Sequence, residues 1–219
     1  MKKNYLLLFL LSFACLGYAR AQTTDRVLRF GIKAGLNLAD FNDPDHILSN
    51  QDKSTLTGLH AGGFMTISIG KKFSVQPEAV ISMQGAKYDD PILIDPESGQ
   101  MMDAETTKDE FIYLNIPVML QFSPAGAFRL EAGPQLGILL TAHGKVENAG
   151  QSFRQDQKQY FESLDFGIGL GLGYRLPLGL DFYGRYNLGL VNVFNKDAIG
   201  NSHAYISNSV IGIGVGYVF

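Results

Sequence analysis

The stretch Leu164-Asp165-Phe166-Gly167-Ile168-Gly169-Leu170-Gly171-Leu172-Gly173-Tyr174-Arg175 decides how the rest of this chain is read. Large apolar side chains stand at every even position, and glycine or a charged residue at every odd one. A period of two belongs to a β-strand, whose successive side chains leave opposite faces, whereas a helix repeats every 3.6 residues. One face of this strand is therefore wholly apolar, and the other is small or charged. The four glycines do not make a phosphate-binding loop. A dinucleotide fingerprint sets its glycines at a strand-to-helix turn with a crossover helix behind it. Here all four share one strand face, where glycine marks room for long side chains from neighbouring strands.

The same period extends in both directions. Towards the C-terminus, Leu180, Phe182, Tyr186 and Leu188 oppose Asp181, Tyr183, Arg185 and Asn187. In the last segment Ile211, Ile213, Val215, Tyr217 and Phe219 oppose Gly212, Gly214 and Gly216. Towards the N-terminus, Phe128, Leu130, Ala132, Leu136, Ile138 and Leu140 oppose Arg129, Glu131, Gly133 and Gln135. Before them Ile112, Leu114, Ile116, Val118, Leu120 and Phe122 oppose Asn115 and Gln121. Phe73, Val75, Pro77, Ala79, Ile81 and Met83 oppose Ser74, Gln76, Glu78, Ser82 and Gln84. In the first segment Leu28, Phe30, Ile32, Ala34, Leu36 and Leu38 oppose Arg29, Gly31, Lys33, Gly35 and Asn37. A segment at about 56–70 is less regular, because Gly58, Gly62 and Gly63 interrupt it. The sequence predicts eight strands and an all-β class.

The links between these segments alternate in length. Short turns fall at Gly70-Lys71, Ser123 to Gly126 and Pro177 to Gly179, all rich in turn-forming residues. Long polar links occupy about 42–55, 89–109, 145–158 and 195–204. Short turns on one side and long links on the other are the mark of an antiparallel transmembrane barrel, with periplasmic turns and extracellular loops. A soluble eight-stranded barrel would show the same alternation with its apolar face inward. Size separates the two. Eight long strands cannot pack that many Phe, Leu and Ile side chains into a narrow interior while glycine-rich faces lie in water. Turned outward, the apolar faces meet lipid, and a closed barrel leaves no unpaired backbone edge in hydrocarbon. Aromatics near the strand ends, namely Phe30, Tyr88, Phe122, Phe128, Tyr174, Phe182, Tyr205 and Tyr217, are then expected in interfacial belts.

The first residues read as an export signal. Lys2 and Lys3 form a positive start, Tyr5 to Leu16 an apolar run, and Ala19-Arg20-Ala21 a small-x-small cleavage pattern. The apolar run is shorter than the roughly 20 residues of a membrane-spanning helix. Residues 1–21 are expected to be cleaved and 22–219 to form the barrel. That cleavage would remove Cys15, the only cysteine, so disulfides and thiolate sites are excluded. It would also remove three of the 18 Lys and Arg and none of the 21 acids, leaving a net charge of −6. Such a balance argues against nucleic acid as a partner.

The inward face is expected to carry Arg29, Lys33, Glu78, Arg129, Glu131, Asp165, Arg175, Asp181 and Arg185. Unpaired charges in a narrow, low-dielectric lumen are costly, so mutual ion pairs that plug the lumen are expected. The functional alternative is an ion path or a catalytic carboxylate. The link from Asp89 to Asp109 holds seven acids and one base, Lys108, but no EF-hand spacing, and reads as an acidic solvated loop. His46, His60, His143 and His203 are scattered without zinc spacing, and no Gly-x-Ser-x-Gly elbow occurs. No catalytic residue, metal or cofactor is expected.

Five segments resemble a known family: Phe30 to Asn37 (FGIKAGLN), Tyr113 to Val118 (YLNIPV), Ala132 to Gly137 (AGPQLG), Asp165 to Gly169 (DFGIG) and Arg185 to Leu190 (RYNLGL). Together, in this order, they are similar to the PorT-like outer-membrane β-barrel (porin family) proteins of Bacteroidetes-type bacteria. Asn115 departs from the acidic residue expected in its strand. The resemblance implies an eight-stranded barrel in the outer membrane and carries no site residues. The expected role is a non-enzymatic structural or interaction protein acting through its outer loops. The alternatives are a porin-like passive channel and an accessory of a protein-secretion apparatus. The expected partners are outer-membrane lipid, barrel-assembly machinery reading the strand that ends at Phe219, and a surface or secretion partner not specified by sequence.

Overall fold

The computed structural model describes residues 28–43, 52–89, 92–94, 101–103, 106–148, 151–195 and 205–219. The expected signal segment 1–21, its cleavage point and parts of all four long links lie outside them. Eight long strands alternate as read from the sequence: β1 Leu28–Asn42, β2 Leu56–Ser68, β3 Phe73–Asp89, β4 Thr106–Ala125, β5 Phe128–Asn148, β6 Leu164–Arg175, β7 Leu180–Gly189 and β8 Ser207–Val218. Each pairs antiparallel with the next, and β8 returns to β1 through pairs running from Gly31–Val218 to Asn42–Ser207. The ring is closed. A last bond from the Phe219 N–H to the Phe30 carbonyl (2.9 Å) carries the seam to the chain end.

The three short turns lie where their residues predicted. Gly126 and Gly179 close the second and third with φ of 49° and 86°, a region in which any side chain is strained. At the opposite end the strands outrun the polar boundary. Gln151–Asp156 pairs with the upper part of β5, Asp52–Ser54 pairs with β3, and Ile92–Ile94 pairs with Met101–Asp103. The links expected as loops at 42–55, 89–109 and 145–158 are thus partly strand. Backbone pairing needs no lipid, and it continues wherever a neighbouring strand is long enough to offer partners.

The apolar faces point outward. Ile168, Leu170, Leu172 and Tyr174 are 41–55% exposed, while Asp165 and Asp181 on the opposite faces are buried. A wall of this kind is stable only against hydrocarbon. Phe30, Phe73, Phe128, Tyr174, Phe182, Tyr217 and Phe219 lie exposed around the short-turn end, where Phe73 stacks on Phe122 at 4.9 Å, and Tyr205 is exposed at the other end. Tyr88 departs from the expected belt. It sits on the inward face of β3 and is buried, because the inward series 76, 78, 80, 82, 84 continues with the same period through Ala86 to Tyr88.

Candidate functional site

The lumen is where chemistry-bearing side chains converge, and it is filled in layers. At mid-height Glu78 of β3 is the acceptor for two cations. Lys33 Nζ lies 3.0 Å from its Oε2, and the Arg185 guanidinium donates to Oε2 at 3.0 Å and to Oε1 at 2.7 Å. Arg185 also donates from Nε to Glu131 Oε1 at 2.8 Å. Glu131 in turn lies 3.5 Å from Arg129 Nε, and Arg129 forks onto Asp181 with bonds of 2.6 and 2.9 Å. Arg175 reaches the same Asp181 at 3.6 Å. Gln76 and Gln121 donate to Glu78 and Glu131, and Thr66 and Ser74 donate to those glutamines. The expected ion-pair plug is present, built by β1, β3, β5, β6 and β7 together.

The glycine face explains how such long side chains fit. A Cβ on Gly173 would collide with the Arg129 guanidinium, and one on Gly171 would stand 2.8 Å from Glu131 Oε1. Across the barrel, a Cβ on Gly31 would strike the Phe64 ring, and one on Gly214 the Tyr183 hydroxyl at 2.6 Å. Each glycine is the vacancy that a neighbour's side chain fills.

Two expected members stand apart from the plug. Asp165 has no cation partner among the described residues. Its Oδ2 accepts from Asn208 Nδ2 at 2.8 Å, and the residue opposite it on β5 is Gly137, which offers no side chain. Arg29 lies exposed at the short-turn mouth, with no carboxylate partner among the described residues. The mutual pairing expected of the inward charges therefore leaves these two out.

Above the plug lies a neutral polar layer. Asn37 spends Nδ2 on Ser82 Oγ (2.8 Å) and the Met83 carbonyl (2.9 Å), so its Oδ1 is the acceptor. His60 Nδ1 must then be the donor to Asn37 (2.7 Å), and its Nε2 accepts from the Tyr183 hydroxyl (2.5 Å). Lys33 Nζ lies 3.9 Å from the Tyr183 ring centre, a cation–π contact. His60 is built into the lumen as a bridge between strands, while His46 and His203 lie outside the described residues. Among the described residues no group of His, Cys, Asp and Glu could hold a metal ion.

The top third of the lumen is apolar. Phe41, Tyr88, Phe111, Tyr113, Leu139, Phe161, Val193 and Ile206 form one buried cluster, with Phe194 packed against it. Phe111 and Phe161 meet edge to face at 4.6 Å, and Phe161 and Phe194 lie 5.0 Å apart. Phe41, Phe111 and Tyr113 continue the inward series of β1 and β4, so following the period past the lipid band would have found them. Phe161 and Phe194 come from outside the strands, joined by an isolated backbone bridge, and no periodicity marks them.

Residues 20–195 match the model of a family described as outer membrane protein beta-barrel domain. The chain is similar to the solved structure of Neisserial surface protein A, at 12% identity over 87% of this chain and 97% of that one, with a TM-score of 0.47. It is also similar to Ail, the attachment invasion locus protein of Yersinia pestis (12%, 87% and 98%, TM-score 0.46). A third similar structure is OprG from Pseudomonas aeruginosa (16%, 89% and 97%, TM-score 0.42). No curated protein matches the chain.

Proposed function

The chain belongs to this family of outer-membrane β-barrel domains, and from that premise we propose that it is a closed, non-enzymatic barrel that works as a structural or interaction protein. The observation that carries this reading is the double closure of the lumen. An ion-pair layer around Arg185, Glu78 and Glu131 lies below a buried aromatic layer around Phe111 and Phe161. A solute path would need both to open. What remains available to partners is the long-link end, where paired strands rise beyond the lipid band.

The finer assignments belong to the same proposal. Kinship with PorT-like proteins rests on the five ordered segments quoted above, and with it comes an accessory role beside a secretion apparatus. Export would depend on cleavage after Ala21, and insertion on recognition of the strand that ends at Phe219. Purified protein in planar bilayers tests the main reading. It should give no steady, large conductance steps, and steady open-channel current would replace it with passive transport.

A further inference from the structure

Charge is distributed unevenly along the barrel axis. The plug joins four cations, Lys33, Arg129, Arg175 and Arg185, to three carboxylates, Glu78, Glu131 and Asp181. Just below it, at the periplasmic mouth, a recess of about 220 Å³ is lined by Arg29, Lys71, Lys72, Arg129 and Arg175, with no carboxylate in its wall. The carboxylate nearest these cations is Asp181, and both of its oxygens already accept from Arg129. Arg175 reaches it only at 3.6 Å, beyond hydrogen-bond length. Arg29, Lys71 and Lys72 have no ion-pair partner among the described residues. The remaining wall is hydroxyl and amide, including Ser123 and Gln121.

We propose that this mouth is a binding site for a phosphate-class oxyanion presented from the periplasm. Like charges gathered in one concavity repel one another, and a multivalent anion relieves several of those repulsions at once. Guanidinium groups offer forked donors to oxyanions, lysines add mobile point charges, and hydroxyl donors can complete the shell. Arg129 and Arg175 line the recess from the strands, and Arg29, Lys71 and Lys72 line it at the short-turn end, so a soluble phosphate group reaches them more directly than the phosphate of a lipid packed against the outer wall.

The test uses the full barrel in a non-ionic detergent, with inorganic phosphate as the probe and calorimetry as the readout. Wild-type protein should bind phosphate with an affinity that falls as salt is added. The turn variant K71Q/K72Q should bind about tenfold more weakly, a loss of about 1.4 kcal/mol. Its heat-dependent gel mobility should be unchanged, since both lysines lie on an exposed turn. Arg29→Gln, on a separate strand, should weaken binding in the same direction. Micelles doped with phosphatidylglycerol identify the source. Unchanged phosphate binding in them supports a soluble ligand, whereas loss of binding through competition reassigns the site to a lipid phosphate and overturns presentation from the periplasm. Absence of phosphate binding, or equal binding by wild type and K71Q/K72Q, overturns the site itself. Neither result bears on whether the lumen conducts.

Discussion

Arg185 of β7 grips Glu78 of β3 from across the lumen with two hydrogen bonds, at 2.7 and 3.0 Å, although the two residues are 107 positions apart in sequence. Their strands are not neighbours in the ring, so this bond braces the barrel across its width. Glu78→Gln keeps the shape of the side chain but strands the buried charge of Lys33 and leaves Arg185 with Glu131 as its one carboxylate partner. Breaking a buried pair from one side costs about 3–5 kcal/mol. Urea unfolding in lipid vesicles should show that loss. A variant as stable as wild type would mean that the brace contributes little.

The two closures of the lumen should act as independent locks. Phe111→Ala with Phe161→Ala empties the aromatic layer but leaves Arg185 and its carboxylates in place, so bilayers should stay silent. Exchanging Arg185, Glu78 and Glu131 for serine in that background should produce conductance steps. Current from the double aromatic variant alone would show that the ion layer is no barrier.

Gly173 and Gly184 provide a matched pair. The first faces the Arg129 guanidinium inside, and the second faces outward with open space around the position of a Cβ. Gly173→Ala should destabilise the barrel by about 1–3 kcal/mol, the usual cost of overpacking. Gly184→Ala should be silent or slightly stabilising. Equal effects in chemical unfolding would remove the steric account of the glycine face.

Phe219 is 72% exposed, and its ring meets Tyr217 edge to face at 5.5 Å on the outer wall. Its backbone N–H supplies one seam bond to Phe30. Deleting Phe219 should therefore reduce the yield of heat-modifiable barrel in cells far more than it lowers the unfolding midpoint of refolded protein. Proportional losses in both would assign the residue to seam stability and not to assembly.

His60→Phe should cost about 1–3 kcal/mol by leaving the Asn37 and Tyr183 groups buried without their partner. His60→Gln, able to donate and accept, should recover part of that loss in the same unfolding assay.

An alternation of apolar with small or charged residues, set off by short and long links in turn and joined to the limited size of an eight-stranded interior, was enough to determine eight strands and their outward apolar faces. Those properties are local or nearly so: strand period, turn chemistry, and the cost of an open edge in hydrocarbon. Inward charges such as Lys33 and Asp181 could likewise be read as buried and in need of partners. Which partner each would find was beyond the sequence, because pairing across a lumen depends on shear and stagger that bring Arg185 to Glu78 and leave Asp165 to Asn208. The aromatic cap was half legible, through Phe41 and Phe111 on their strands, and half hidden, since Phe161 and Phe194 enter from segments without a period. The crowding of unmatched cations at one mouth was decided by tertiary structure alone, because charge balance counted along a chain carries no information about where along the barrel axis each charge comes to rest.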